Sequence, residues 1–384
     1  MKKDYGKYID KKRLVDTFIK LAKIYSPPFH EGATANFLKK ELKKLGCSVY
    51  FDNAGKKIGG ETGNLIAKLP GTIKSAPILL CAHMDMLEPC KNIKHVFKKD
   101  RICSDGTTIA GADCRSGITI ILEVLKNLKG KPHPPVEIAF TIAEEPGMLG
   151  SKHIEHSKIK ARTGIIIDME FSDKVTVMCP SKVFLDITIK GVSAHAGLYS
   201  DRGLSSIQAA GDLICSMKLG KIDKDTNVNL GIIEGGHSVN AIPSLVKIKG
   251  QVGSFSMAGL NKQVRHIKEV CKKVEKKWRK KVDGKMLKTY ISCDVKQAYP
   301  AAKIPLNSPA LKALLNSAKM QGLQVTPIRR NAGTEANMLS ARGIHVCNFG
   351  CGQKNVHGVK EYLDLKEFFN SAKILLGAVL NFKA

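Results

Sequence analysis

Short apolar segments that end in an acid or a histidine constrain this chain most. GNLIAKL, APILLCAH, VEIAFTIA and TGIIIDME are apolar at successive positions, are bounded by Gly and Pro, and alternate with helical patterns such as ITIILEVLKNL. Upstream, Leu14, Phe18 and Leu21 make one helical stripe, and Phe37, Leu38, Leu42 and Leu45 make another. Continuous apolar strands separated by helices predict an α/β fold, a mostly parallel sheet with helices on both faces. Ligand sites in such sheets collect at the carboxyl ends of strands. A polar residue that closes an apolar run is therefore a candidate for chemistry in a way that a mid-helix one is not.

The texture changes near Lys182. VFLDITIKG alternates as a half-exposed antiparallel strand does, and a strand-helix-strand-strand-helix-strand order follows. After Pro305 the α/β texture returns. The pattern predicts a catalytic domain in two parts, 1–181 and 299–384, interrupted by a smaller α+β lid over 182–298.

Composition narrows the partners. The 384 residues carry 62 basic and 34 acidic side chains, a net charge of +28. Such an excess suits a nucleic-acid partner, but no nucleic-acid-binding motif accompanies it. The densest run, Lys272 to Lys281, fits the wet face of an amphipathic helix whose other face is Leu260, Val264, Ile267, Cys271, Val274 and Trp278. No segment approaches the roughly 20 apolar residues that span a bilayer, and the basic N-terminus lacks the apolar stretch of a signal peptide. The eleven cysteines are scattered, odd in number and without a CxxC pair, which suits free thiols in a reducing cytoplasm.

Five segments place acids or histidines where an α/β site is expected. His83 and Asp85 close APILLCAHMD, and residues two apart on a strand share a face. Asp85 is placed to accept the second ring N–H of a metal-bound His83, although a satisfied core histidine reads the same way. Asp113 opens a long apolar helix, where an N-cap is the plain reading. Glu144 and Glu145 end VEIAFTIAEE; as neighbours they need separate partners, and a metal ligand beside a general base meets that need, as does mere exposure. Asp168 ends TGIIID, and His357 lies in the loop before the last helix. Any one of them could be structural, but two His and three or more carboxylates at strand ends of one inferred sheet are harder to explain as coincidence.

These motifs, in order, resemble the two-zinc metallopeptidases of the aminoacylase and carboxypeptidase superfamily, and most nearly their peptidase T-like (tripeptide aminopeptidase) branch. The resemblance runs through GNLIAKLPG, the HxD segment, GADxxxG, the glutamate pair, GVSAHAG, GGHSVNAIP, AGTEANMLSARGI and VHGVKEY. It implies hydrolysis of short peptides by two divalent metal ions, with an N-acyl amino acid deacylase or a carboxypeptidase of the same superfamily as the alternative. It further implies that His83 and Asp168 hold one metal, Glu145 and His357 the other, and that Asp113 bridges them. Asp85 then orients His83, and Glu144 is the general base. His195 resembles a lid histidine that reaches a partner subunit's site in a homodimer, and Asn240 a substrate-contacting lid residue. Arg329 and Arg330 could pair with a substrate carboxylate. Oxygen and imidazole ligands suit Zn²⁺, with Co²⁺ or Mn²⁺ also accommodated. The chain departs from the branch at Cys114 and Glu335, both usually aspartate, at Ala332 and Pro146, and at Gly253, where relatives often carry arginine.

Overall fold

Strands Ile78–His83, Val136–Thr141 and Thr163–Ile167 are buried at every position. Alternate strand residues face opposite sides, so complete burial means that both faces of the sheet are covered. In the computed structural model, which describes residues 3–383, these strands form the centre of a nine-stranded sheet. The spatial order is Ser48–Phe51, Leu65–Leu69, Val136–Thr141, Ile78–His83, Thr163–Ile167, His345–Phe349, Lys174–Cys179 and Ala302–Lys303, with Thr326–Arg329 also on Lys174–Cys179. The central four strands run parallel, and antiparallel pairs close both flanks. The helix Ala112–Leu128 is apolar nearly all round because it is enclosed, lying against two central strands and the helices Lys11–Ala22 and Leu365–Leu380.

Register sets the site. His83 pairs with Thr141, and Cys81 with Ile166. The residues that follow Thr141 and Ile167 therefore emerge beside His83 at one carboxyl end. A small four-stranded antiparallel sheet, absent from the sequence expectation, joins Gln353–Lys354, Tyr362–Asp364, Arg101–Ser104 and His95–Phe97. Its strands are too short for a periodic signal, yet the loop between the first two carries His357.

The chain forms two compact units, one reaching Cys179 and resuming at Ala302, the other Pro180–Ala301. The second contains an antiparallel sheet in the order Gly220–Lys221, Thr226–Gly235, Leu245–Ser254, Ser181–Lys190, Tyr290–Tyr299. Helices Ser206–Ser216 and Met257–Lys277 pack on it over Val183, Leu185, Ile187 and Ile189. The lysine-rich run is not one helix. It stops at Lys277 and turns into a hairpin of Arg279–Val282 with Lys285–Lys288. Asp283 and Gly284, both at positive φ, form its two-residue turn, and the Trp278 indole donates to Asp212 at 2.9 Å, fixing the exit from the helix.

Candidate metal centre

Asp113 does not cap its helix. Gly111 takes the cap position at φ 73°, and Asp113 itself has non-helical angles. The N–H groups of Gly111 and Asp113 both donate to Glu361, at 2.7 and 3.0 Å. Relieved of a capping role, the Asp113 carboxylate turns its two oxygens to two histidines: Oδ1 lies 2.9 Å from His83 Nε2, and Oδ2 lies 3.5 Å from His357 Nε2.

His83 is 1% exposed. Its Nδ1 faces the Asp85 carbonyl at 3.1 Å and carboxylate at 3.3 Å, so Nε2 points into the site. Asp85 does more than orient this ring. Its buried carboxylate also accepts the N–H groups of Glu144 and Glu145, each at 3.0 Å. The glutamate pair stands beyond the strand rather than on it, since the strand ends at Thr141. Ala143, at φ 45°, turns the chain there, and its N–H donates to buried Glu31 at 2.8 Å. Three successive N–H groups are thus held by two buried carboxylates, which overdetermines a backbone conformation that a non-glycine residue seldom adopts. Buried Arg115 stands near both carboxylates and donates to the Met84 carbonyl at 2.6 Å.

Asp85→Asn tests this support. An amide offers one acceptor where two N–H groups need one each, and turns an NH₂ toward the other. We expect metal affinity to fall about 10–100-fold with the fold intact, measured by calorimetric titration; unchanged affinity would count against the arrangement.

Asp168 leaves the adjacent strand. Its backbone N–H donates to the Phe349 carbonyl, and Gln353 Nε2 donates to its Oδ1 at 3.1 Å. Glu145 Oε2 lies 3.1 Å from His357 Nε2. Two sets of ligand atoms result, each lying within 4.8 Å of one another: His83, Asp113, Cys114 and Asp168 in one, and Asp113, Glu145 and His357 in the other. Asp113 belongs to both. The Cys114 thiol donates to the Ile167 carbonyl at 3.0 Å, so its hydrogen-bonding role is on the backbone.

The electrostatics fit cation binding. Burial pushes the Asp168 carboxyl up to about 7, with Asp113 adding to the effect. Burial also opposes ionisation of Asp113, but hydrogen bonds from His357 and His83 outweigh it and hold this carboxyl well below the usual range. His357 is raised to about 10 by its bonds to Asp113 and Glu145. Concentrated carboxylates draw positive charge onto the imidazoles, and divalent cations answer the same demand. Burial raises Glu144 well above an ordinary glutamate, although part of its surface remains open. Glu335 is fully buried against Cys81, whose thiol donates to Oε2 at 3.2 Å, so its place is behind the His83 strand.

The remaining candidates fall in two places. His195 and Asn240 lie in the second unit, on segments joined by bonds from Ala196 N–H to the Asn240 carbonyl and from Ile242 N–H to the Ala194 carbonyl, both 2.8 Å. His195 Nδ1 accepts from the N–H groups of Gly197 and Leu198 at 3.2 Å, which leaves Nε2 as the donor of the neutral ring. Arg330 is already held by both oxygens of Glu170, and Arg329 ends the strand Thr326–Arg329. Glu31, Arg115 and Glu361 had no signal of their own in the sequence, although Glu361 lies within VHGVKEY.

Two carboxylate–imidazole clusters that share one aspartate, at the carboxyl ends of an α/β sheet, make a candidate metal site of the metallohydrolase class. Residues 79–381 match peptidase family M20/M25/M40, and the chain belongs to that family. It is 28% identical to the uncharacterized protein YqjE of Bacillus subtilis over 97% of this chain and 98% of that one. Peptidase T of Fusobacterium nucleatum is 24% identical, covering 90% and 89%. Among solved structures, the aminopeptidase PepT of Bacillus cereus superposes with a TM-score of 0.90 at 29% identity, covering 97% and 99%. A tripeptidase of Staphylococcus aureus gives 0.91 at 29%, covering 97% and 98%. The activity class is metal-dependent peptide hydrolysis.

Proposed function

We propose that this chain is an aminopeptidase that removes the N-terminal residue of short peptides, tripeptides foremost, with two divalent ions, zinc in the first place. The observation that carries this reading is Asp113, whose two carboxylate oxygens face imidazoles of two separate ligand clusters. His83 and Asp168 would hold one ion, Glu145 and His357 the other, with Asp113 between them. When bound, such ions supply a water of lowered pKa and polarise the scissile carbonyl. Glu144 takes the proton of the attacking water and delivers it to the leaving amine; burial raises its carboxyl above the ordinary glutamate range, the direction such a base requires.

His195 offers its Nε2–H to the oxyanion, from the partner subunit of a homodimer built through the 182–298 lid. The open edge of that unit supports pairing between copies. On the outer side of Thr226–Gly235, ladder partners among the described residues reach only Asn227 and Val228, while Ile232 and Ile233 are 51% and 57% exposed. Mixing inactive His195→Ala and Glu144→Ala proteins should therefore restore activity through hybrid dimers, and the absence of recovery would refute action in trans. Asn240, Arg329 and Arg330 are the candidates for holding the remainder of the substrate, Arg330 by exchanging Glu170 for the peptide carboxylate.

Eleven free cysteines support a cytoplasmic location, and no described helix is long and apolar enough to cross a membrane. A panel assayed after chelation and refilling with defined metals tests the substrate reading. Tripeptides with a free amine should be cleaved at least about tenfold better than N-acetylated or longer peptides. Faster hydrolysis of an N-acetyl amino acid, or release of the C-terminal residue, would replace it with the deacylase or carboxypeptidase reading.

A further inference from the structure

Two of the eleven cysteines meet in the core of the Pro180–Ala301 unit, away from the motifs discussed above. Cys271 lies on the buried stripe of Met257–Lys277, between Ile267 and Val274, and is 3% exposed. Cys293 lies on Tyr290–Tyr299 in register with Ile187, a core position, and is partly exposed. Helix and strand run alongside each other with a fixed register. Glu275 accepts the Ile291 N–H at 3.0 Å; one helical turn back and two strand residues on, Cys271 is brought to Cys293. Cys271 belongs to the apolar core of this unit, and Cys293 packs against that core. Tyr290–Tyr299 is an edge strand, which gives Cys293 its exposure.

We propose that Cys293 and Cys271 form a peroxide-reactive modification site, with Cys293 as the attacking thiol and Cys271 as the resolving one. The chemistry of the pair agrees. The neighbouring Cys271 thiol and the Lys268 ammonium favour the Cys293 thiolate against the cost of burial, and the Cys293 thiol stands below its ordinary range. Cys293 and burial together hold the Cys271 thiol above its ordinary range, which suits the resolving role. An accessible low-pKa thiol beside a second thiol is the arrangement that oxidises selectively. Cys293 thiolate attacks one peroxide oxygen, the O–O bond breaks, and the departing hydroxide takes a proton to leave as water. Cys271 sulfur then attacks the sulfenic sulfur; the S–S bond forms, the S–O bond breaks, and a second water leaves. Two thiols are oxidised and one hydrogen peroxide is reduced.

The competing sites are Cys215, the exposed cysteine, and the buried Cys114 and Cys351. The test treats the reduced full-length protein with one equivalent of hydrogen peroxide, blocks remaining thiols, and maps the digest by mass spectrometry. The expected product is a joined Cys271–Cys293 peptide pair, lost on reduction, as the major oxidised species. In Cys271→Ser the expected product is a sulfenic acid trapped at Cys293 by a dimedone probe, and in Cys293→Ser neither product forms. Dominant oxidation of Cys215 or of the Cys114–Cys351 pair would overturn the proposal, as would a Cys271→Ser protein that gives no trapped adduct.

Discussion

Asp113→Ala is expected to lose both metal ions and peptide hydrolysis in one step. Among the described residues no other side chain belongs to both ligand clusters, so its removal takes an oxygen from each and leaves His83 and His357 without their common partner. The cost is electrostatic more than steric. The side chain is small, and the backbone N–H groups around it stay on Glu361, so circular dichroism should show a folded protein. Loss of two-ion chemistry removes several kcal/mol of barrier lowering, roughly 10³-fold or more in kcat/KM. Two ions retained per chain, with near-normal turnover, would mean that the clusters are independent of Asp113. Retention of one ion would place the bridging role elsewhere.

Glu144→Gln has the opposite signature. Glu144 belongs to neither cluster, and its N–H bond to Asp85 is made by the backbone and survives substitution. Metal content should therefore equal that of the parent, while kcat falls about 10²–10⁴-fold, the usual contribution of a positioned general base. KM should change little, because glutamine keeps the size and hydrogen-bonding reach of the side chain. Full activity in this variant would exclude Glu144 as the base, and loss of metal would make it a ligand.

The sequence was informative wherever the chemistry coincides with a periodic pattern. His83 and Asp168 could be found because each closes a continuous apolar strand, and parallel register then brings such ends together. Glu144 and Glu145 could be found as a pair, but their setting could not, since the turn at Ala143 depends on Glu31 and Asp85 accepting N–H groups far away in the chain. Glu361 escaped for the same reason: a carboxylate that accepts backbone N–H groups from a turn some 250 positions earlier leaves no spacing to read. The hairpin after Lys277 was legible in principle, because Asp283-Gly284 is a strong two-residue turn signal, but the lysine periodicity ran through it. Arg330 shows the limit of residue type as evidence: a guanidinium suited to a substrate carboxylate is equally suited to Glu170.

The central claim is that side chains from three strand ends, one helix start and one loop assemble around two cations that share a single carboxylate. Anomalous diffraction at the zinc edge, from crystals grown with excess zinc, tests it directly. The expected map has two peaks, one touching His83 and Asp168, the other Glu145 and His357, each touching a different oxygen of Asp113. A single peak, or a pair that Asp113 does not join, would contradict it.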